Sequence, residues 1–411
     1  MDEVKKILYL SYDGLTDPLG QSQVLPYIIG LEKLGYRFTI ISFEKKQRLQ
    51  KEKNIVLDAI KNRQINWVPL SFTSRPPVIS KIWDRYKMRR TASLLHRRDN
   101  FDFLHCRSYV AGEVGLALKR KTDVPFLFDM RGFWADEKVE NGQWNLKNLF
   151  YRRVYQKYKR KEKEMLLGAD AIVTLTRASQ AHLLAQSIYK HLHIDVIPCC
   201  ADFELFDFRS IKNEDQQQLR RQLQISDGTK VITYLGSVGG WYLTKEMFRF
   251  FRQLQQTKNG DYMLLVLSKD DPEKIRKEAE ACGVTSNGII VTYAPRQQLP
   301  LYLSLCSLGL FFIRNSFSKI ASSPTKHAEL MGMGIPVVCN DIGDTGNIIT
   351  ETRAGIVIKG FSRESYQEAI EKISELTNIS KDQIRVAALK IFDLHSGIDK
   401  YNEIYKRLTL N

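Results

Sequence analysis

An α/β protein made of two parallel-sheet halves is what this 411-residue sequence predicts, on three observations. Short continuous runs of Val, Ile, Leu and Phe recur along the chain, helix-length amphipathic stretches separate them, and the whole pattern occurs twice. Runs without strict polar alternation suit parallel strands buried on both faces, and regular alternation with helices gives a doubly wound layer. At roughly 150 residues per domain, the length suits two or three domains.

In the first half the runs fall at 6–12, 38–43, 65–70, 103–107, 124–130, 171–176 and 194–198. In the second they fall at 230–236, 262–268, 288–293, 308–313, 336–340 and 354–359. Helical stretches such as DPEKIRKEAEACG and SPTKHAELMGMG follow the second set. Residues 199–229 are polar and read as a linker between two Rossmann-like domains of similar size joined near residue 200. Ligands of such sheets bind beyond the carboxyl ends of the strands, so the expectation is two domains facing a central cleft.

Composition removes several classes. Apolar residues make up 43% and charged residues 26%, as in ordinary globular proteins. No stretch of about 18 residues escapes charge, so no membrane-spanning helix is expected, and the start, MDEVKKILYLSYDG, does not read as a secretory signal. The six cysteines lack a C-x-x-C pair and read as reduced cytosolic thiols. No metal site is expected.

The net charge of +16 is unevenly spread: residues 1–200 hold 35 Lys+Arg against 21 Asp+Glu, and the remaining 211 hold 27 against 25. The excess sits in KIWDRYKMRR, LLHRRD and YRRVYQKYKRKEK. A one-sided basic face suits an anionic membrane surface, nucleic acid or an anionic substrate, or is a solvated helix surface.

The segment SKIASSPTKHAELMGMGIPVVCN, residues 318–340, is the most informative. Ser323 before Pro324 predicts an N-cap with proline at the first helical position. Helix formers run from Thr325 to Met331, and Gly332, Gly334 and Pro336 end the helix before PVVCN. Amides of Thr325 and Lys326, the helix dipole, and the Lys326 and Lys319 ammoniums would make a diphosphate site. Glu329, a turn on, is placed to accept hydrogen bonds from two ribose hydroxyls.

This segment resembles the nucleotide-sugar-binding motif of the family 4 retaining glycosyltransferases, which have the GT-B fold. ILYLSYD leading to Leu19-Gly20-Gln21 resembles the family's glycine turn, where backbone approaches the donor diphosphate. Val196-Ile197-Pro198 with Ala201-Asp202 and Phe206 resembles its interdomain signature, and TYLGSVGGWY (233–242) its second diphosphate loop. VTYAPRQQLPLYLSLCSLGLFF (291–312) resembles the nucleobase-pocket strand and helix, with Arg296 near nucleobase or phosphates. HSGIDKYNEIYKRL resembles the helix that crosses back to the first domain. The resemblance implies an acceptor-side domain at 1–200, a nucleotide-sugar domain at 201–394 and a crossover helix at 395–411.

Two positions depart from the family pattern. Its first glutamate, eight residues before the one matching Glu329, is Ala321 here. Its Arg and Lys after the first strand of the second domain are Ser237 and Leu243, with Lys245 two positions late. Amides of the loop Ser237, Gly239 and Gly240 would bind phosphate instead.

In LFDMRGFWADEKVENGQW (127–144), Asp129 matches an acidic or histidine position near the donor's anomeric carbon. It would hydrogen-bond a sugar or acceptor hydroxyl, or help an oxocarbenium-like transition state. Arg131, Trp134, Asp136 and Glu137 would shape the acceptor side. The structural alternative is that Asp129 caps a turn and Arg131 pairs with Asp136. His105 and Arg107 line the cleft or pack, and Trp241 and Tyr242 are sugar platforms or core.

The resemblance implies transfer from a nucleoside-diphosphate sugar, UDP or GDP, to an acceptor hydroxyl with retention and without a metal. Catalysis would rest on Asp129, Lys326 and Glu329. The expected setting is bacterial surface-glycan synthesis on a lipid-linked acceptor, with the cytoplasmic enzyme peripheral at the inner membrane face. A GT-B-type nucleotide-sugar 2-epimerase is the alternative. No nucleic-acid-binding module is readable, and DPLGQSQ does not supply the G-x-G-x-x-G of a dinucleotide oxidoreductase.

Overall fold

The computed structural model describes residues 4–76, 79–257, 261–376 and 378–410. Two compact units result: Met1–Pro198 with Leu394–Asn411, and Cys199–Asp393. In the first, β1 (Lys6–Ser11), β2 (Arg37–Glu44), β3 (Ile65–Ser71), β4 (Phe103–Arg107), β5 (Phe126–Asp129), β6 (Ala171–Thr174) and β7 (Ile194–Val196) form one sheet in the order β3-β2-β1-β4-β5-β6-β7. In the second, β8 (Lys230–Leu235), β9 (Tyr262–Leu267), β10 (Ile289–Thr292), β11 (Cys306–Phe311), β12 (Val337–Asn340) and β13 (Gly355–Ile358) are ordered β10-β9-β8-β11-β12-β13. Every strand pair is parallel.

All thirteen runs read from the sequence are strands; the inner ones are buried on both faces, whereas edge strands β3 and β7 bury only Ile65 and Ile194. Strand order reverses between β1 and β4 and again between β8 and β11. Where neighbouring crossovers leave to opposite faces, a crevice opens beyond the carboxyl ends of the two central strands. Each unit therefore has a defined place for a ligand.

The stretch 199–229 is not a linker. Phe203, Phe206, Leu219 and Ile225 are buried in the core of the second unit, and Asn213–Gln222 is helical. The guanidinium of Arg385, on helix Lys381–Phe392, donates to the carbonyls of Phe203 (2.6 Å), Phe206 and Gly332 (2.6 Å). A polar composition concealed four anchors at irregular spacing, and the carbonyls of two of them, Phe203 and Phe206, are held by a side chain 182 and 179 positions away.

Helix Leu394–Leu410 belongs to the first unit and packs on helix Leu25–Lys33. Tyr36 Oη donates to Asn402 Oδ1 at 2.8 Å, and Tyr405 Oη hydrogen-bonds His105 Nδ1 at 2.7 Å.

Candidate functional site

Two constellations of buried charge lie at the carboxyl ends of the central strands, one in each unit. In the second unit, helix Thr325–Gly332 follows Pro324, whose extended backbone (φ −70°, ψ 120°) makes it the N-cap. Ser323 is therefore not the cap expected from the sequence: its hydroxyl accepts the Cys199 N–H at 3.0 Å. No side chain caps this helix, which leaves its first-turn amides to the dipole end.

Lys326 enters this helix 6% exposed, with an ammonium that has no hydrogen-bond partner among the described residues. The ammonium rests over the rings of Tyr242, 3.5 Å from the centroid, and Tyr234, 4.1 Å away. Burial pulls its pKa well below that of an ordinary lysine, against the opposing pull of Glu329. Gly236, at φ +116°, lets the backbone after β8 pass close, since a Cβ there would lie 3.0 Å from Lys326 Nζ.

Glu329 is equally buried and receives Arg296 Nη1 on Oε1 at 2.8 Å. Burial raises its pKa, and Arg296 and Lys326 oppose the rise. The Arg296 guanidinium also lies 5.2 Å from the centre of the Phe206 ring. The sequence proposed these residues separately, and the fold brings them together. Lys319 and Arg314 lie over the Trp241 ring, at 4.0 and 4.3 Å. The sequence did not single out Arg314 or Tyr234, and it offered Trp241 and Tyr242 as sugar platforms or core and not as rings beneath a cation. The signal was three aromatics within TYLGSVGGWY, a pattern equally common in cores.

The glycine loop departs from its expected part. The Val238 amide donates to Asp270 Oδ2 at 2.6 Å and the Gly239 amide to Thr244 Oγ1 at 3.2 Å. Ser237 contributes its carbonyl to the Tyr234 hydroxyl. Gly239 and Gly240 have φ of +77° and +64°, but an amide nest for phosphate is partly spent on protein acceptors.

In the first unit, the β4–β5 register sets Arg107 beside Asp129. Asp129 is fully buried. Its Oδ1 lies 3.4 Å from Arg131 Nη1, and its Oδ2 lies 3.5 Å from both Arg107 Nη1 and His105 Nε2. Burial opposes ionisation, yet Arg131, His105 and Arg107 outweigh it and hold the carboxyl well below the carboxylate range. Burial lowers the His105 pKa, against the opposing pull of Asp129. Asp129 thus caps no turn, and Arg131 pairs with Asp129 instead of Asp136.

The rest of the expected acceptor group divides. Asp136 turns to helix Leu149–Gly168, accepting from Tyr155 Oη at 2.7 Å and Lys159 Nζ at 2.8 Å, so its oxygens are committed to packing. Trp134 is half-buried among Tyr158, Trp144 and Tyr109, with centroids 4.9, 5.4 and 6.0 Å away. Glu137 is half-exposed on the same helix, Trp134–Glu140.

Gly20 and Gln21 lie inside helix Pro18–Gln23 and not in the turn the sequence suggested. A Cβ at Gly20 would fall 2.1 Å from the Gly14 carbonyl oxygen, so glycine lets this helix press on the loop after β1. Buried Glu44 holds that loop by accepting the amides of Leu15 (2.7 Å) and Thr16 (3.2 Å) and the Thr16 hydroxyl. Among the described residues, no group of three or more His, Cys, Asp or Glu is arranged to hold a metal ion.

Comparison with known proteins follows this division. The family model described as "Glycosyltransferase Family 4" matches residues 24–205, and that described as "Glycosyl transferases group 1" matches residues 215–389. A D-inositol 3-phosphate glycosyltransferase of Corynebacterium aurimucosum is 20% identical over 315 residues, covering 74% of this chain and 72% of that protein. Among solved structures, Anabaena HepE in complex with UDP and glucose superposes with a TM-score of 0.71 at 14% identity, over 98% of this chain and 99% of that one. A glycosyltransferase from Rickettsia africae gives 0.69 at 17%, over 99% of both chains. With one model matching each half and both sheets arranged as in these structures, the chain belongs to the family 4, group 1 glycosyltransferases and has the GT-B fold.

Proposed function

We propose that this glycosyltransferase moves a sugar from a UDP- or GDP-sugar to an acceptor hydroxyl with retention of configuration and without a metal. The observation that carries the reading is Lys326, a buried ammonium with no hydrogen-bond partner at the start of an uncapped helix. A donor diphosphate supplies the missing counter-charge, and the helix amides add donors. Glu329, already oriented by Arg296, has a second carboxylate oxygen for ribose hydroxyls.

In the reaction the bond from the anomeric carbon to the diphosphate oxygen breaks, and its electron pair stays on that oxygen. The acceptor oxygen bonds to the same face of the anomeric carbon, and its proton passes to the leaving diphosphate. Lys326, Lys319 and the helix amides stabilise the charge that grows on the leaving oxygen, because they are placed before reaction. Asp129, held ionised by its three bases in the first unit, is the carboxylate this reading assigns to offset the positive charge of an oxocarbenium-like transition state.

The acceptor in this reading is a lipid-linked glycan of a bacterial surface polymer, met at an anionic membrane. In support, Ile79, Ile82, Trp83 and Tyr86 are 48–62% exposed on helix Ile79–Asp99, amid Lys81, Arg85, Arg89 and Arg90. Aromatic and aliphatic side chains among lysines and arginines suit the lipid headgroup boundary. No helix among the described residues is long and apolar enough to cross a membrane.

A thermal-shift panel of UDP, GDP, ADP, CMP and dTDP, with and without EDTA, tests the donor site. A ligand at 100 times its Kd stabilises by about 2.7 kcal/mol. One diphosphate shifting the melt regardless of EDTA is the expected result, and no shift from any of them overturns the donor assignment. Unchanged binding of Trp83→Ala/Tyr86→Ala to vesicles containing phosphatidylglycerol overturns the membrane assignment.

A further inference from the structure

The last helix, Leu394–Leu410, carries a hydroxyl into the centre of the first unit, one side chain away from Asp129. Tyr405 is wholly buried, with the rings of Phe103, Tyr36 and Phe38 centred 4.7, 5.2 and 6.4 Å from its own. Its Oη lies 2.7 Å from His105 Nδ1, and among the described residues this is the hydroxyl's one hydrogen bond. The other nitrogen of the same ring, Nε2, lies 3.5 Å from Asp129 Oδ2. Tyr405 from the helix, His105 from β4 and Asp129 from β5 thus follow one another through the core. Tyr9 and Tyr401 cover the imidazole, with ring centres 4.3 and 5.2 Å away.

The donors and acceptors along this path fix where the protons stand. A proton on Nδ1, in the neutral or the charged ring, would make Tyr405 Oη the acceptor. The hydroxyl's own proton would then be left among aromatic rings, and a buried donor without an acceptor is costly. In the neutral ring it would also turn the Nε2 lone pair toward a carboxylate oxygen. With the hydroxyl donating to Nδ1, its proton is satisfied and the ring's proton sits on Nε2, on the side of Asp129. Burial keeps the phenol protonated for this, its pKa well above the usual tyrosine value. The Nε2 and Oδ2 atoms are both buried without a hydrogen-bond partner among the described residues. A contact of this length between such groups is of the kind that tightens when substrate binds.

We propose that Tyr405 is a positioning residue for Asp129, acting through His105: its hydroxyl locks the imidazole in the tautomer with the proton on Nε2 and so reserves that proton for Oδ2 of the carboxylate. The role rests on the reading of Asp129 as the carboxylate that offsets positive charge in sugar transfer, whereas the proton arrangement rests on the first unit alone. Arg107 and Arg131 supply charge to Asp129, and the imidazole supplies a donor whose direction the last helix sets. The helix that returns to the first unit is in this way part of the site's chemistry as well as a brace.

Nitrogen-15 NMR of the full chain, labelled at its seven histidines, reads the tautomer without any substrate. The His105 ring is assigned by the loss of its signals in His105→Gln. The expected spectrum has Nε2 protonated and Nδ1 unprotonated. A His105 ring protonated on Nδ1, alone or together with Nε2, overturns the proposal. Tyr405→Phe removes one oxygen and keeps the ring, and the Nε2 proton should then exchange with water about tenfold faster, the equivalent of one hydrogen bond. Unchanged exchange overturns the lock.

The link to Asp129 is read by a double-mutant cycle in denaturant. Tyr405→Phe should lower the folding constant about tenfold in the parent and clearly less in the Asp129→Asn background, because the two side chains are coupled through His105. Equal losses in both backgrounds show a hydroxyl that serves packing alone and overturn the link. The NMR measurements need no Asp129 variant, so they decide the lock even where Asp129→Asn does not fold. With UDP-glucose and GDP-mannose as donors and water as acceptor, Tyr405→Phe should lower kcat about tenfold at unchanged KM. A loss confined to KM overturns the part in transfer. A parent chain inert to both donors counts against the glycosyltransferase reading and not against the tautomer.

Discussion

Asp129 in the first unit and Lys326 in the second are mirror cases. Each is a buried charge: Asp129 ends β5, one strand beyond the reversal between β1 and β4, and Lys326 lies on helix Thr325–Gly332, against the loop that follows β8. Asp129 has three bases within 3.5 Å and its ionised form is favoured. Lys326 has two aromatic faces, no hydrogen-bond partner, and a protonated form that burial disfavours. A charge compensated by its own fold is set before any ligand arrives. One left uncompensated is completed by what binds.

The comparison breaks most readily at Asp129. Asp129→Asn keeps the shape, removes the counter-charge of two arginines, and should lower stability by about 3–5 kcal/mol, read from the denaturant midpoint. The pH dependence has a definite sign. A carboxyl whose folded pKa lies below its unfolded value of about 3.9 contributes in full above that value. The contribution is lost as pH falls further, and the variant should lack this acid limb. An Asp129→Asn protein as stable as the parent would show that Arg107, Arg131 and His105 do not depend on the carboxylate.

Lys326→Met should do the opposite to stability. Removing a buried ammonium without a counter-ion leaves the fold equal or firmer, while sugar transfer should fall 10²–10³-fold, about 2.7–4 kcal/mol, as on loss of one preorganised donor. A core-filling lysine would leave kcat/KM unchanged. A matching change in stability and activity would erase the distinction between the two regions.

A third measurement sharpens the same point. A diphosphate raises the depressed pKa of Lys326 toward its ordinary value, so nucleoside-diphosphate binding should take up to about one proton where free Lys326 is neutral. Affinity should then weaken as pH rises through the pKa of the complex. Calorimetry in two buffers of different ionisation enthalpy reads the proton count, which should vanish in Lys326→Met. The smallest expected effect is at Tyr242: replacing it with Leu removes one ring face from the ammonium and should cost about 0.5–2 kcal/mol in thermal unfolding.

Much of the fold was legible because burial on both faces forces continuous aliphatic strands, and that demand is local. The helix at 325 was legible because Pro324, Gly332, Gly334 and Pro336 punctuate it. Its cap was misread: serine before proline is a common start, but here the Ser323 hydroxyl serves the Cys199 amide, 124 positions away. Asp136 was misread for a similar reason, as its partners Tyr155 and Lys159 lie on the next helix. The polar stretch at 199–229 misled because composition does not reveal four apolar side chains that meet a distant core.

By itself the sequence determined which segments are strands and helices, that the pattern occurs twice, and which residue types stand at 129, 326 and 329, since periodicity, punctuation and residue identity are properties of neighbours along the chain. Tertiary structure alone decided which charges are compensated. The β4–β5 register brings Arg107 to Asp129, the loop after β8 brings Tyr242 to Lys326, and among the described residues no hydrogen-bond partner was folded in for the Lys326 ammonium. A charge's free energy depends on what desolvates it and what lies within a few ångströms, and those neighbours are chosen by the fold.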